Sequence, residues 1–227
     1  MDALRPESLF DLQHSAIGSL LAAVQYPWEI LSTLRSFLVT YGQTLSSEIY
    51  EQRGDGIWIA RTAKIAPSAS ITGPVVIGPD TEVRHGAYIR GSALVGTGCV
   101  VGNSCELKNC VLFDEAKTPH FNYIGDSILG HGAHMGAGAV TSNVKSDKTN
   151  VVIRWKEPTP GELATGLRKL GAMLGDFAEV GCNSVLCPGS VVGRHSIVYP
   201  LSRVRGVLAA ERIWKENGII AVREMRG

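Results

Sequence analysis

An all-β solenoid is the fold predicted for this 227-residue chain. The first observation behind it is a ladder in which Ile59, Ile65, Ile71, Ile77, Val83, Ile89, Val95, Val101 and Leu107 recur in unbroken six-residue register. The second is that four places after each stands a small or β-branched residue: Ala63, Ala69, Val75, Thr81, Ala87, Ala93, Cys99, Cys105 and Val111, with Gly, Pro and Asp between. The third is a later ladder of the same step, Leu174, Val180, Leu186, Val192, Val198 and Val204. A short strict period means that each repeat buries its apolar side only against the next one, which is how a solenoid is held together.

Taken in order, residues 1–56 lack the period and form a helical N-terminal segment. Pro27-Trp28-Glu29 opens a stretch in which Ile30, Leu31, Leu34, Phe37, Leu38 and Tyr41 recur at helical spacing, predicting a helix over 27–41 that stops at Gly42. A shorter helix is expected within 6–24. The apolar stripe of the 27–41 helix needs a surface, so the segment is expected to cap the open N-terminal end of the solenoid or pack against a neighbouring subunit. The solenoid itself spans 57–207, with one excursion over 112–123 and another over 144–171, the latter holding Val151-Val152-Ile153-Arg154-Trp155 and Pro158-x-Pro160. Excursions from a regular scaffold are where function tends to be mounted. Residues 208–227 are expected as a short helix, Leu208 to Glu216, and an apolar tail, Ile219 to Val222.

A formal charge of +1 argues against general nucleic-acid binding, so charged partners must be met by a local cluster. The apolar stretch Ala16 to Val24 is interrupted by Gly18 and Ser19 and is far shorter than a membrane span of about 20 residues. Asp2, Glu7 and Asp11 around Arg5 argue against a signal peptide, and the expected location is cytoplasmic without membrane partners. Five cysteines without a secretory leader argue against a disulfide framework. Cys99 and Cys105 read as compact core fillers, and Cys110, Cys182 and Cys187 lack metal-ligand spacing, so no metal is expected.

Hexads of the form aliphatic-Gly-x-x-small-x resemble the left-handed parallel β-helix of the hexapeptide-repeat acyltransferases. The resemblance implies three hexads per triangular coil, coils stacked about 4.8 Å apart, and assembly as a homotrimer with clefts between subunits. Residues 18 apart then lie above one another. Arg90 and Lys108 each follow an aliphatic anchor and are separated by 18, so they should project from one edge of adjacent coils. Stacked like charges are relieved by water or an anion, which suggests a phosphate seat; a solvated surface pair is the plainer reading of the same spacing. His120, next to Pro119, is placed to accept a proton from an attacking amine or hydroxyl, although a loop histidine is more often only a surface residue.

Lys108, then Pro119-His120-x-x-Tyr123-x-Gly125-Asp126, then Met135-Gly136-Ala137-Gly138-Ala139-Val140-Thr141-x-Asn143, resemble the acetyltransferase half of the bifunctional N-acetylglucosamine-1-phosphate uridyltransferase/glucosamine-1-phosphate acetyltransferase family. The likeness covers about 59–207. It implies acetyl transfer from acetyl-coenzyme A to an amino-sugar 1-phosphate. It implies His120 as general base, Arg90, Lys108 and Tyr123 on the sugar phosphate, Asn143 in the sugar and acyl-donor site, and the Ala137 N–H on the acyl oxygen. Such a transfer requires a deprotonated nucleophile, an oxyanion donor and exclusion of water, which His120, the Ala137 amide and the Phe121/Tyr123 rings would supply. The coenzyme arm is expected near 174–200, with Arg203, Arg205 and Arg212 meeting its phosphates or simply keeping the surface soluble.

The chain departs from the family at three points. His134 replaces an asparagine that touches the amino sugar, Cys182 replaces a serine near the coenzyme, and Lys145 or Lys148 stands in for a lysine out of register. No Gly-rich nucleotide loop occurs in 1–56, so no pyrophosphorylase activity is expected. Two other readings use the same coil. A γ-carbonic-anhydrase-like metal enzyme would need zinc on His131, His134 and either His120 or His85, at a spacing foreign to that family. A non-catalytic scaffold would bind a sugar nucleotide or partner through the helical front end.

Overall fold

The computed structural model describes residues 2–156 and 158–224, and residues 225–227 of the expected tail lie outside the described residues. The chain is a left-handed parallel β-solenoid preceded by a helical arm. Its coils have three faces. The first carries Ser70–Thr72, Tyr88–Arg90, Val140–Thr141, Val185–Leu186 and Arg203–Val204. The second carries Ile57–Ala60, Val75–Ile77, Ala93–Val95, Ala172–Leu174, Ser190–Val192 and Val207–Leu208. The third runs from Lys64–Ile65 through Glu82–Val83, Val100–Asn103, Lys117–His120 and His134–Met135 to Arg212–Trp214. Two long strands, Glu106–Leu112 and Tyr123–Leu129, run around one corner and weld the first and second faces into a single sheet.

The inward positions are those of the ladders: Ile77, Ile89, Val95, Val101, Leu107, Leu174, Leu186, Val192 and Val204 are fully buried. The small slots Thr81, Ala87, Ala93, Cys99 and Cys105 are buried among them. Burial pushes the Cys99 thiol up to about 12, so it packs as an inert hydrophobe.

Two expectations about the solenoid change. The stretch 112–123 is no excursion: Lys117–His120 is a regular rung paired in parallel with Val100–Asn103 and with His134. Here the coil shortens, Glu106 pairing with Tyr123 and Lys117 with His134, 17 residues apart instead of 18. The inward anchors therefore shift to Leu112, Thr118, Ile124, Leu129, Met135 and Thr141, all buried. A five-residue side and two threonines among the anchors erase the six-step signal without breaking the coil. In the same shift Cys110 takes the core slot and Val111 turns outward.

At the C-terminus, Leu208 to Glu216 is likewise another rung, Val207–Leu208 and Arg212–Trp214, and among the described residues the helical piece of this segment is a 3-10 turn at Glu216–Gly218. Val191 pairs with Val207 across 16 residues, so two residues are lost at that corner and the apolar spacing mimics a helix. Ile220–Val222 folds back antiparallel on Arg212–Trp214.

The second excursion is real. It carries an antiparallel hairpin, Val152–Trp155 with Gly161–Ala164.

The arm comprises α1 (Pro6–Leu9), α2 (Gly18–Ala22) and α3 (Leu34–Thr44), with a 3-10 segment at Pro27–Ser32. The expected 27–41 helix thus splits at Thr33 (φ −104°, ψ −5°) and continues past Gly42. Gly42 does not stop it because its role is contact: a Cβ there would stand 2.3 Å from the Trp58 ring. The arm does not cap the open end. Leu4, Leu9, Phe10, Ile17, Leu21, Trp28, Leu34 and Leu38 are buried against Trp58, Val76, Leu94, Val111, Phe113, Ile128, Met173 and Val191, the outward row of the second face. Each fully buried large apolar side chain contributes about 1.5–3 kcal/mol, so the arm is an integral layer.

Asp176 latches it. The fully buried carboxylate accepts from the Asp11 N–H (2.6 Å) and the His131 N–H (2.8 Å) and pairs with Arg194 (3.0 Å). The His14 and His131 rings stack 3.9 Å apart at the same corner. With the second face covered, the first and third faces, and the ridge where they meet, remain open.

Candidate active site

The first face gathers three of the sequence-predicted residues, Lys108, Tyr123 and Asn143, around one carboxylate to which the sequence pattern assigned no role. Asp126 sits at the corner in a left-handed conformation (φ 49°) and is 4% exposed. It accepts from Lys108 Nζ at 2.9 and 3.1 Å, from Asn109 Nδ2 at 2.7 Å and from Asn143 Nδ2 at 2.5 Å. The donors stand one coil below or above Asp126, 17 or 18 residues away, so the coil rule that aligned Arg90 with Lys108 would have found it. Asn143 Nδ2 also donates to the Tyr123 hydroxyl at 3.2 Å.

Tyr123 lies over Gly125, where a Cβ would fall 2.4 Å from its hydroxyl; any other residue would push the phenol off the cluster. Burial raises the Tyr123 phenol above its ordinary value, with Asp126 and Glu106 adding to the rise and Arg90 opposing it, so the hydroxyl stays neutral and able to donate.

Arg90 and Lys108 do share an edge, since Leu107 pairs with Ile89 in the parallel register. Each cation has its own carboxylate: Arg90 Nε donates to Glu106 at 2.5 Å and Lys108 pairs with Asp126. Among the described residues only Nε of Arg90 is engaged, which leaves both Nη groups free to meet an anion.

His120 belongs to the ridge and is exposed. In the register pairing Lys117 with His134 it falls opposite Ala137, and its carbonyl accepts from the Gly138 N–H at 3.0 Å. Among the described residues the Ala137 N–H has no hydrogen-bond partner. Cys182 follows on the next coil of this ridge and is also exposed, the Asn183 N–H donating to the Ala137 carbonyl at 2.8 Å. Phe121 is 60% exposed on the ridge with its ring 6.4 Å from the His120 ring, and among the described residues no ring contact joins it to Tyr123. The strand Tyr123–Gly125 between ridge and Asp126 is three residues, roughly 10 Å. Within one chain, then, the ridge and the cation cluster are adjacent without touching.

His134 stands on the third face between Lys117 and Glu179. Burial lowers its imidazole below the ordinary histidine value; Glu179 opposes, while Lys117 and His120 add to the lowering. The folded chain keeps it neutral while the unfolded chain protonates near pH 6.5. Its contribution to stability is therefore complete above about pH 6.5 and is lost as the pH falls toward the lowered folded value. His134→Gln is expected to shrink the drop in Tm between about pH 7 and pH 5.5, followed by circular dichroism; an unchanged drop would contradict this assignment.

The remaining predicted residues lie elsewhere. Lys145 is tied to Thr149 (2.5 Å) and Asp147 (3.3 Å) within its own turn, and Lys148 is exposed at a left-handed position. Arg203 and Arg205 flank Val204 on the first face, whereas Arg212 is on the third, so the three do not form one cluster. The histidines of the metal reading do not converge. His131 is stacked on His14 with Nδ1 2.9 Å from the Asp114 carbonyl, and His85 bonds Ser68 at 2.7 Å. Among the described residues no group of three His, Cys, Asp or Glu side chains could hold a metal ion. Nor is any described helix long and apolar enough to cross a membrane.

Comparison with known proteins finds relatives that match the solenoid part of the chain. The family model described as the GMPPB C-terminal domain matches residues 71–155. The bifunctional protein GlmU of Methanococcus maripaludis is 32% identical over 193 residues, covering 77% of this chain and 42% of that protein. A bifunctional sugar-1-phosphate nucleotidylyltransferase/acetyltransferase of Sulfurisphaera tokodaii is 29% identical over 60% of this chain and 38% of its own length. The chain thus spans less than half the length of these relatives. Among solved structures, a perosamine N-acetyltransferase from Caulobacter crescentus in complex with CoA and GDP-perosamine is 17% identical, with a TM-score of 0.43 over 70% of this chain and 56% of that one.

Proposed function

We propose a function from one premise: this chain is a hexapeptide-repeat solenoid homologous to the acetyltransferase domains of GlmU-like bifunctional proteins. It is an acetyl-coenzyme A-dependent N-acetyltransferase acting on an amino-sugar 1-phosphate. The single observation carrying this reading is the cluster of Lys108, Asn143 and Tyr123 held around Asp126 beside Arg90, on an open face next to the ridge that bears His120.

In this reading the sugar phosphate rests on Arg90 and Lys108, and the Tyr123 hydroxyl and Asn143 hold the sugar. The amine attacks the thioester carbonyl as His120 takes its proton; the oxyanion forms against the Ala137 N–H; collapse expels the coenzyme A thiolate, which regains a proton, and leaves the acetamide. Because ridge and cluster are separated on one chain, a neighbouring subunit that closes the space would complete the site. Support for a homotrimer built on the two open faces is the apolar surface left there: Tyr88 (41% exposed), Phe121, Tyr199 and Leu201 (80%). Cys182 on the ridge lines the coenzyme side, and Arg203 and Arg205 lie further along the first face toward its phosphates. A cytoplasmic location suits the donor.

The ion pairs favour one competing reading, a structural ladder whose cations serve only their carboxylates. Kinetics separates the two. Arg90→Ala and Lys108→Ala are expected to raise KM for the phosphorylated amino sugar with little change in kcat, and to leave the unphosphorylated sugar unaffected. Equal losses on both substrates would contradict the phosphate seat.

A further inference from the structure

The arm that covers the second face also reaches the edge of this site. Arg35, in the first turn of α3, has its Nη1 3.9 Å from where a Cβ of Gly91 would stand, and Gly91 directly follows Arg90. Arg35 is exposed, and among the described residues it has neither an ion-pair nor a hydrogen-bond partner. The neighbouring charges cancel in pairs, Arg90 with Glu106 and Lys108 with Asp126. Arg35 therefore adds a positive charge to this edge that neither Glu106 nor Asp126 neutralises. Its position carries no local reward: the first turn of α3 holds no acidic residue, and a cation there opposes the helix dipole.

We infer that Arg35 completes the anion seat by holding a second phosphoryl group that extends past Arg90, so that the site takes an amino sugar carrying a diphosphate. This rests on the reading of the first face as the sugar-phosphate seat and extends its substrate from a 1-phosphate to a 1-diphosphate. A guanidinium offers two parallel N–H donors to a phosphate and keeps its charge at any working pH, which suits it to a terminal phosphoryl group at an open edge. The residue comes from the arm, outside the repeat, so the hexads alone carry no trace of it.

The test is calorimetry on the full chain with inorganic phosphate and inorganic pyrophosphate as probes. Wild type is expected to bind pyrophosphate more tightly than phosphate. Arg35→Gln should lose about tenfold in pyrophosphate affinity and less than about twofold in phosphate affinity, and Arg35→Lys should retain most of both. An Arg35→Gln protein that binds pyrophosphate like wild type, or loses both ligands in equal proportion, overturns the inference, as does a wild type that binds neither. Acetyl transfer is read separately. Arg35-dependent pyrophosphate binding without any transfer would leave the inference standing and remove the proposed activity; a competent enzyme indifferent to Arg35→Gln would do the reverse.

Discussion

Replacing His120 by alanine is expected to lower kcat for acetyl transfer by about 10²–10⁴-fold, the usual contribution of a positioned general base. The side chain is exposed on the ridge, and the hydrogen bonds of this residue run through its backbone: its N–H donates to Asn122 Oδ1 (3.2 Å) and its carbonyl accepts from Gly138. The solenoid should therefore fold unchanged, with the same circular dichroism and Tm. KM for the phosphorylated sugar should move little, because Arg90 and Lys108 are on the neighbouring face. A variant that keeps kcat would remove His120 from the chemistry, whereas one that loses kcat together with its fold would say nothing against the base, and His120→Asn then serves as the milder substitution.

Asp126 carries the second large effect. Its carboxylate is the common acceptor for Lys108, Asn109 and Asn143, and it is almost wholly buried. Asp126→Ala leaves Lys108 and Asn109 without their acceptor and Asn143 with only the Tyr123 hydroxyl, and each hydrogen bond lost from these half-buried groups costs about 1 kcal/mol. It also frees Lys108 and Asn143 to wander, and a misplacement of about 1 Å at a reacting assembly costs on the order of 10²-fold. Asp126→Asn keeps the volume and turns an amide nitrogen toward donors, so it should lose catalysis with less loss of Tm. The expected signature is a fall in kcat/KM for the phosphorylated sugar in both variants, measured beside a smaller thermal shift in Asp126→Asn. Unaltered kcat/KM in Asp126→Asn would show that the cluster is only structural.

The regular part of the fold was legible because a hexad buries the same atoms every turn, and Ile77, Val95 and Leu186 lie inside as their spacing requires. Legibility failed where the coil length changed. The 17-residue coils moved Cys110 inward and Val111 outward, and the 16-residue coil at Val207 made a rung look helical. A threonine can fill an inward corner when its hydroxyl finds a carbonyl, as Thr118 does with Val100 (3.2 Å), and such an anchor leaves no apolar mark.

The arm's destination was hidden for a different reason. Trp58, Val76, Leu94 and Ile128 form an outward apolar row, which is visible only once the coils are stacked. In the site, the alignment of Arg90 with Lys108 was readable from spacing, while their separate neutralisation by Glu106 and Asp126 depends on side-chain reach between coils. The hub role of Asp126 was within reach of the same arithmetic, since Lys108, Asn109 and Asn143 all lie one coil away. The wandering of Lys145 into its own turn was not, because a lysine four residues from a threonine and two from an aspartate has local partners that no repeat predicts.

The most direct measurement is release of free coenzyme A thiol by purified wild-type protein given acetyl-coenzyme A and a panel of amino sugars bearing a 1-phosphate or a 1-diphosphate. Thiol release is expected to depend on the amino sugar and to fall when the phosphate is removed. No release with any member of the panel would contradict the proposed activity.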